Sequence, residues 1–285
     1  MEKLIPIAGC VILFNSENNV WNNILSYGNS VSLLIVIDNS TFYNTDLVNK
    51  LKKHNNVQYI NNDGNLGVAK ALNISATIAI SRGFKWMLTM DQDSYIKNDF
   101  FNMVNPLLSN YKNIIIAASY NKIFYKPRKS EYSGFVEVGT VITSGNLLNL
   151  DGWKSLGGFC EKLFIDEVDN EFCIRAIRHG FKILATKTIY LNHNLGSEYL
   201  KTNIFSRKTL SLTKHSSTRL YYMTRNNLFL WKKYFLVNPC LIYNRVKNLF
   251  KLIYEITFYY PDKISYYKNI AKGVFHFFIS KYDKM

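Results

Sequence analysis

Long hydrophobic runs, paired cysteines and a balancing number of acidic residues are all missing from this sequence. No stretch reaches the ~18 consecutive apolar residues that a membrane-spanning helix needs. The first apolar stretch, residues 4–14, lacks a basic leader segment and an obvious cleavage site, which argues against a signal peptide. The four cysteines are far apart and form no C-x-x-C motif: Cys10, Cys160, Cys173 and Cys240. We therefore expect reduced core thiols and a cytosolic protein.

What the chain does have is an uneven distribution of positive charge. Of its 285 residues, 48% are hydrophobic and 15% aromatic, which is typical of a folded domain with a substantial core. Residues 201–285 hold 16 of the 35 Lys and Arg residues but only 3 of the 20 Asp and Glu residues. The remainder of the chain is close to neutral. The basic segment therefore favours an anionic partner, either a membrane surface or a nucleic acid.

Strand-like and helix-like segments alternate through the first 120 residues. Apolar runs of strand length occur at 7–14, 31–38, 57–60, 85–90 and 114–119, and amphipathic segments of helix length lie between them. This alternation predicts an α/β fold with a mostly parallel sheet that is covered by helices on both faces. Open sheets of this kind bind ligands at the carboxyl ends of their strands.

Polar residues follow three of these strands. Asp38 follows the second strand, residues 61–67 (NNDGNLG) follow the third, and Asp91-Gln92-Asp93 follows the fourth. Two carboxylates in a D-x-D pattern can share a hard cation such as Mg²⁺ or Mn²⁺ with diphosphate oxygens. The alternative for D-x-D alone is a solvated turn in which Asp93 or Ser94 caps a following helix. Three polar strand ends on one edge favour the metal site.

The two other strand ends can each hold part of a nucleotide. The carboxylate of Asp38 can accept hydrogen bonds from a nucleobase or a ribose, or it can belong to a simple β-turn. Gly64 and Gly67 allow the backbone to approach a ligand, and Gly67 lies where the next helix starts, a position that favours anions. A turn followed by a helix start would explain the same glycines.

An acidic helix is predicted in the middle of the chain. Residues 163–180 (LFIDEVDNEFCIRAIRHG) have a helical pattern that ends at Gly180, with Phe172, Ala176 and Ile177 on the apolar face. Asp166 and Asp169 lie one turn apart at its start. They can cap the helix, or one of them can act as a carboxylate base that faces the metal and diphosphate. His193, between a strand and Gly196, is a surface residue or a third metal ligand.

Together these segments resemble the family 2 inverting glycosyltransferases of the GT-A fold, particularly the bacterial rhamnosyltransferases. The matching segments are spread over residues 7–230: VIDNS, NLGVAKALN, WMLTMDQDS, TSGNLL, GGFCEKLFIDEVDNEFCIRAIRHG, HNLG and YYMTRNN. D-x-D alone is weak support, whereas the ordered set is specific. In the family the acidic motif is often Glu-Asp-x-Asp; here it is Val168-Asp169-Asn170-Glu171. The difference leaves Asp166 as an alternative to Asp169.

The resemblance implies a role for each candidate residue. The catalytic base would be Asp169, with Asp166 as the alternative, and the metal ligands would be Asp91, Asp93 and His193. The residues that contact the sugar nucleotide would be Asp38, Asn65, Gly67, Asp91, Gln92 and Arg225. The residues that contact the acceptor would be Ser144, Gly145 and Asn226. The implied activity is metal-dependent transfer of a sugar with inversion, and the implied donor is dTDP-rhamnose. The acceptor would be a lipid-linked saccharide of a surface polysaccharide such as O-antigen or capsule.

The basic segment suggests how such an acceptor is reached. Residues 242–256 place Ile242, Val246, Leu249, Ile253 and Ile256 on one helical face, with Phe250 at its edge and Lys247, Asn248 and Lys251 opposite. A basic amphipathic helix with aromatic residues suits an anionic membrane. We expect a catalytic domain over residues 1–210, a helical region over 211–285, and a peripheral location on the inner face of the bacterial cytoplasmic membrane without a nucleic-acid partner. Packing on the catalytic domain or on a second protomer is the alternative.

Two other classes of protein remain as alternatives. A nucleotidyltransferase would use the same metal-bound sheet edge, but it would need a basic, glycine-rich loop after the first strand, and residues 13–19 (LFNSENN) contain neither Gly nor Lys. A different donor, such as a UDP-sugar, would keep the glycosyltransferase mechanism. A non-enzymatic membrane-binding or nucleic-acid-binding protein would leave the three polar strand ends unexplained.

Overall fold

The chain folds into two compact units. The computed structural model describes residues 5–97, 99–109, 113–120, 127–193, 198–202, 209–213, 215–237, 239–260, 262–282 and 284–285. The first unit takes in the described residues of 1–161 and 168–194, and the second those of 162–167 and 195–285. The boundary between the two units lies after residue 194, and the loop 162–167 belongs to the second unit. The sequence suggested a boundary at residue 210. The division into domains stays a prediction.

The alternation of strands and helices in the first unit is confirmed. Its elements are β1 (Ile7–Leu13), α1 (Val20–Gly28), β2 (Leu33–Asp38), α2 (Thr45–Lys53), β3 (Val57–Asn61), α3 (Val68–Ser81), β4 (Trp86–Asp91), β5 (Ser94–Ile96), α4 (Phe100–Leu108), β6 (Ile114–Ser119), β7 (Arg128–Lys129), β8 (Phe135–Glu137), β9 (Asn146–Asn149), α5 (Leu150–Ser155), α6 (Val168–Arg178), β10 (Lys182–Ile189) and β11 (Leu191–His193). The sequence pattern did not predict the short strands β5, β7, β8, β9 and β11.

A nine-stranded sheet forms the centre of the first unit. Its strand order is β3-β2-β1-β4-β9-β6-β10-β8-β7, and all of its strands except β9 and β8 point in one direction. The mostly parallel α/β fold is therefore confirmed. The strands β1, β2, β4 and β6 are almost fully buried, because aliphatic runs of this kind are covered by helices on both sides. Since β2, β1 and β4 are parallel neighbours, their carboxyl ends lie together on one edge.

The acidic helix is shorter than predicted. It begins at Val168 and not at Leu163, because Asp166 and Glu167 both have a left-handed backbone with φ of 63°. Phe172 and Ala176 are buried as expected, but Ile177 is 43% exposed, so the predicted apolar face was wrong at that residue. Gly157 and Gly158, which precede this segment, both have a positive φ.

The second unit is helical. Its elements are β12 (Glu198–Thr202), β13 (Thr209–Thr213), α7 (Ser217–Tyr234), α8 (Pro239–Tyr259) and α9 (Lys263–Phe278). Its core contains Leu220 of α7, Leu252 and Ile256 of α8, and Tyr266 of α9. None of the described helices has both the length and the apolar character that crossing a bilayer requires.

The exposed face of α8 differs in one respect from the predicted amphipathic pattern. Ile242 and Ile256 are buried and Lys247, Asn248 and Lys251 are exposed, as expected, whereas Val246, Leu249 and Ile253 are only partly buried. Several aromatic side chains are exposed beside the lysines: Tyr243, Phe250, Tyr254 and Phe258.

The cysteines also differ in part from expectation, because Cys10 and Cys173 are buried but Cys240 is exposed on α8.

Candidate active site

The D-x-D segment lies where β4 leaves the centre of the sheet. Asp91 is the last residue of β4, and Asp93 follows in a turn that leads into β5. Ser94 starts this strand, so the alternative in which Asp93 or Ser94 caps a helix is wrong. The backbone N–H of Asp91 donates a hydrogen bond to Oγ of the fully buried Ser144 (3.1 Å). Ser144 therefore fixes the backbone from which the first carboxylate projects.

Gly145 allows the segment after Ser144 to pass close to β4 and β6. Its N–H donates to the Thr89 carbonyl (2.8 Å), and its carbonyl accepts from the N–H of Ala118 (2.8 Å). Its φ is +72°, and a Cβ at this position would lie 3.1 Å from a Leu191 methyl carbon. A side chain at residue 145 would therefore be both strained and crowded.

Gln92 connects the D-x-D turn to the end of β1. Its Oε1 accepts hydrogen bonds from the Phe14 N–H (2.8 Å) and the Ser16 hydroxyl (2.6 Å), and its Nε2 donates to the Phe14 carbonyl (3.2 Å). The carboxamide thus holds two strand ends together. Its expected contact with the sugar nucleotide stays a prediction.

The backbone of His193 lies next to the D-x-D turn. β11 pairs antiparallel with β5, and this register places His193 opposite Ser94, the residue that follows Asp93. The expected role of His193 as a metal ligand depends on a side chain outside the described part of the structure. That role therefore stays a prediction.

The carboxylates at the end of β4 fit a hard divalent cation. Asp91 and Asp93 are both only partly buried, so an ion held by them can also bind diphosphate oxygens, as Mg²⁺ does in nucleotide sites. Within the described residues, no group of three or more His, Cys, Asp and Glu side chains is close enough together to hold a metal ion. The described His, Cys, Asp and Glu side chains therefore provide at most two ligands at this point.

Asp38 is buried at the end of β2 and oriented by two hydrogen bonds. Its Oδ2 accepts from the Tyr59 hydroxyl (2.7 Å), and its Oδ1 accepts from the Ser40 N–H (2.9 Å). Partial burial and the bond to the Asp38 carboxylate raise the pKa of Tyr59 above its ordinary value, so the phenol stays protonated as the donor. The carboxylate is therefore held in one orientation, and its expected contact with the nucleotide stays a prediction.

The loop 61–67 is held against the end of β2 by Asn39. The Asn39 Oδ1 accepts from the Asn62 amide (2.8 Å), and its Nδ2 donates to the Gly67 carbonyl (3.3 Å). Asn65 accepts from the Gly67 N–H (2.8 Å), and Gly67 precedes α3 with a φ of +85°. The loop therefore leads directly into the N-terminus of a 14-residue helix, where anionic groups are favoured.

Asp169 lies in the first turn of α6. Its Oδ1 accepts from the backbone N–H of Asn170 (2.8 Å), and the side chain is partly exposed. Glu171, two residues further on, is fully buried and forms two hydrogen bonds with the Arg175 guanidinium (3.0 and 2.6 Å). Glu171 and Arg175 therefore form an ion pair within one turn of α6.

The loop 162–167, in the second unit, carries the other two acidic residues of this segment. Asp166 accepts two hydrogen bonds from the Arg219 Nε and Nη2 atoms at its Oδ1 (3.1 and 2.9 Å). Glu167 is paired with Arg245 at 3.2 Å. The expected capping of the helix by Asp166 was therefore wrong, because its carboxylate binds an arginine of α7. Its role as the alternative base stays a prediction.

Arg225 and Asn226 are both fully buried within the second unit. Arg225 Nη2 donates to the Lys162 carbonyl (3.1 Å), and Asn226 Nδ2 donates to the carbonyls of Ile165 (2.7 Å) and Asp166 (3.1 Å). The sequence predicted that these residues contact the diphosphate or the acceptor. The described contacts are with the backbone of the loop 162–167, and the predicted contacts stay predictions.

The thiol of Cys10, on β1, is not activated as a nucleophile. Burial raises the pKa of the Cys10 thiol to about 12, and the negative charge of Asp91 adds to this effect although a hydrogen bond with Ser75 opposes it. The thiol is therefore protonated at neutral pH. This part of the site offers carboxylates and backbone amides, which suit a direct displacement.

Comparison with known proteins agrees with this geometry. The model of glycosyl transferase family 2 matches residues 10–172, which include the D-x-D segment, Ser144, Asp166 and Asp169. The chain therefore belongs to glycosyl transferase family 2, as the sequence motifs indicated. Among characterised proteins, it is 28% identical over 220 residues to the dTDP-rhamnosyl transferase RfbF of Shigella flexneri, a match that covers 70% of this chain and 71% of that protein.

Two solved structures illustrate the shared fold. GalNAc-T7 with UDP, GalNAc and Mn²⁺ matches 68% of this chain with a TM-score of 0.56 and 14% identity, and the chain spans 44% of that protein. Residues 1–349 of S. aureus TarS in complex with UDP-GlcNAc match 96% of this chain with a TM-score of 0.55 and 14% identity, over 80% of that chain. At this identity the similarity establishes the fold alone, and it confirms the predicted GT-A class.

Two side chains that organise the site were not found by sequence reasoning. Tyr59 orients Asp38 from the neighbouring strand β3, and Asn39 holds the loop 61–67. Tyr59 stands two residues before the end of its strand, so the period-two pattern of a strand would have placed it on the same side as Asn61. Asn39 belongs to the polar stretch 38–40 that follows the second strand, but the sequence pattern did not indicate that its amide holds the loop 61–67.

Proposed function

We propose that this chain transfers a sugar from a nucleoside diphosphate to a saccharide acceptor with inversion, and that the sugar is L-rhamnose carried by dTDP. The observation that carries the proposal is the convergence of Asp38, the loop 61–67 and the D-x-D segment on one edge of the sheet. The similarity to a dTDP-rhamnosyl transferase supports the choice of donor. Membership of a glycosyltransferase family favours this function over nucleotidyl transfer and over non-enzymatic binding.

Each group has a role in binding the donor. Asp38, held by Tyr59 and Ser40, accepts hydrogen bonds from the base or the ribose. Asn65 and Gly67 shape the loop that lies along the sugar nucleotide. Asp91 and Asp93, with His193 as a further ligand, would hold Mg²⁺ or Mn²⁺ at the diphosphate. When bound, such an ion supplies positive charge at the leaving nucleoside diphosphate.

Asp169 is the proposed general base. An acceptor hydroxyl must lose its proton as it attacks the anomeric carbon, and a carboxylate within hydrogen-bond reach can take that proton. One in-line displacement then inverts the anomeric centre, so no covalent nucleophile is needed. The choice of Asp169 rests on the family motif, whose central Asp is kept at this residue, and Asp166 is the alternative.

A donor screen tests the proposed function. The purified chain is incubated with dTDP-rhamnose, UDP-GlcNAc or UDP-galactose in the presence of Mn²⁺, and both release of the nucleoside diphosphate and transfer to lipid extracts are measured. We expect the highest turnover with dTDP-rhamnose and loss of turnover on addition of EDTA. Preference for a UDP-sugar would replace the proposed donor, and turnover that is unaffected by EDTA would contradict the metal dependence.

We also propose that the second unit contacts an anionic membrane, where a lipid-linked acceptor is found. The support is the position of Tyr243, Phe250 and Phe258 on the exposed side of α8, next to Lys247 and Lys251. Exposed aromatic side chains beside lysines suit the interface of a bilayer with acidic headgroups. Packing against a second protomer would use the same exposed side chains.

Vesicle binding distinguishes these two possibilities. The triple variant Tyr243→Ser, Phe250→Ser, Phe258→Ser should lose binding to vesicles that contain phosphatidylglycerol, whereas Phe42→Ser, an exposed aromatic residue of the first unit, should retain it. Wild-type binding should weaken with salt, because charges beyond ~10 Å are screened at 0.1 M. A wild-type dimer in solution that becomes monomeric in the triple variant, without vesicle binding, would contradict the membrane proposal.

A further inference from the structure

The loop 162–167 is held at its backbone by two neighbouring residues of α7. Arg225 donates to the carbonyl of Lys162, and Asn226 donates to the carbonyls of Ile165 and Asp166. These bonds hold both ends of the loop from a single position on one helix. They leave the loop side chains to other partners, since Arg219 and Arg245 bind the carboxylates of residues 166 and 167.

Arg225 is enclosed by aromatic rings. Its guanidinium carbon lies 5.3 Å from the ring centre of Tyr221, 5.2 Å from that of Tyr222 and 5.5 Å from that of Tyr282. Its Nη1 also donates to the Tyr221 hydroxyl (3.3 Å), and its Nε donates to Asn226 Oδ1 (3.1 Å). Burying a guanidinium is unfavourable unless its donors are satisfied. Here the N–H groups of Arg225 form hydrogen bonds and the faces of its guanidinium lie against aromatic rings. Both kinds of contact fix the geometry of the Arg225–Asn226 pair.

The loop needs such support because its backbone is strained. Asp166 and Glu167 are consecutive non-glycine residues that both have a φ of 63°, a region that L-residues adopt rarely. Asn226 binds the carbonyls on either side of the Asp166 nitrogen and α-carbon. The strained residues are therefore fixed at the point where the chain turns into α6, with Asp169 only two residues after Glu167.

We propose that Arg225 and Asn226 are positioning residues, which fix the loop 162–167 and thereby set the start of α6 and the place of Asp169. This inference rests on the proposed function, because it assigns their effect to the base of that reaction. Both side chains are fully buried and bonded to the loop, so we assign their effect to the loop and not to direct contact with the donor. Small displacements of a reacting group can reduce turnover substantially.

Asn226→Asp is the sharpest test of this role. The substitution keeps the size of the side chain but replaces the amide that donates to two loop carbonyls with an acceptor. Asn227→Asp is the matched control, because the Asn227 amide donates only to Met223 of its own helix among the described bonds. Arg225→Lys is a second variant. It keeps the positive charge but loses the Nη2 group that donates to the Lys162 carbonyl. For each variant we would measure the melting temperature, hydrogen exchange of peptides covering 162–169, and kcat and KM for the donor.

The expected result separates positioning from binding. Asn226→Asp and Arg225→Lys should speed hydrogen exchange in residues 162–169 and lower kcat by about 10- to 100-fold, with KM for the donor changed less than about twofold. Asn227→Asp should leave kcat and the exchange of the loop near wild type. A rise in donor KM with an unchanged kcat would overturn the inference in favour of direct contact.

Failure of this inference can be told from failure of the proposed function. If the wild-type chain transfers sugar and Asn226→Asp leaves both loop exchange and kcat unchanged, only the positioning role is overturned. If the wild-type chain transfers no sugar from any nucleotide donor although the loop loosens in Asn226→Asp, the proposed function fails and the catalytic part of the inference fails with it. Faster loop exchange with an unchanged kcat would show that the loop does not position the base.

Discussion

The two units place their buried polar side chains differently. In the first unit, Asp38, Asn39 and Ser144 lie at the ends of strands and orient loops on one edge of the sheet. In the second unit, Arg225 and Asn226 lie inside a helical core and hold the backbone of a neighbouring loop. The first arrangement shapes the edge of the sheet where we propose that the donor binds, whereas the second supports the backbone of one loop. The family match ends at residue 172, before the helices of the second unit.

The largest loss of activity should come from the D-x-D segment of the first unit, where we expect direct contact with a metal ion. Asp93→Ala should abolish both sugar transfer and Mn²⁺-dependent nucleotide binding and leave the fold intact, because a diphosphate keeps its charge and loses the cation that balances it. Calorimetry with dTDP in Mn²⁺ measures the binding, and circular dichroism checks the fold. Asp46→Ala, on the exposed first turn of α2, is the control. Normal nucleotide affinity in Asp93→Ala would remove the metal site.

The next effect separates Asp169 from Asp166. Asp169→Asn should lower kcat by about 10²–10⁴-fold, because the amide cannot accept the proton of the acceptor hydroxyl. Donor affinity should survive, since the base meets the acceptor and not the diphosphate. Asp166→Asn should be milder, because its carboxylate is paired with Arg219. The measurements are donor affinity by calorimetry and transfer rate at saturating donor.

Two results would contradict this assignment. If Asp166→Asn abolishes transfer and Asp169→Asn retains it, the base is Asp166. If both variants lose donor affinity, these carboxylates bind the donor and the base lies elsewhere. Either result would also weaken the distinction between the units, because the loop 162–167 would then contribute chemistry of its own.

The sequence predicted the first unit better than the second for a physical reason. Long buried strands such as β2 and β4 have an apolar pattern that few other structures share, and a polar residue that ends such a strand is conspicuous, as Asp38 and Asp91 are. The left-handed pair Asp166–Glu167 has no such pattern, since nothing local in FIDEVD opposes a helix. The helix start was therefore misplaced, because tertiary bonds from α7 decide the conformation there. Similarly, YYMTRNN identified Arg225 as important without showing what it contacts.

A change at the packing of α7 and α9 should lower the stability of the second unit. Gly273 of α9 lies where an added Cβ would be 2.7 Å from the Tyr221 carbonyl oxygen of α7. Gly273→Ala should therefore force these helices apart and lower the free energy of unfolding by about 1–3 kcal/mol. Lys272→Ala, at the exposed neighbouring residue, is the control. Thermal unfolding measures the effect, and an unchanged or raised melting temperature in Gly273→Ala would contradict the close packing.

The smallest effect concerns His215, which is partly buried just before α7. Burial lowers the pKa of His215 below its ordinary value of 6.5, the positive charge of Arg219 adds to this, and the negative charge of Asp166 opposes it. The unfolded chain therefore binds a proton at a higher pH than the folded chain does. Stability should fall as the pH is lowered from 6.5 towards the depressed folded pKa of His215, and this contribution to stability is fully present above pH 6.5.

His215→Gln should reduce the loss of stability on acidification, measured by urea unfolding between about pH 7.5 and about pH 5. Asp166→Asn should widen the pH range of the loss, because removing the opposing charge lowers the pKa of His215 further. An identical pH dependence in wild type and His215→Gln would show that this histidine does not contribute, and that acid sensitivity arises elsewhere in the chain.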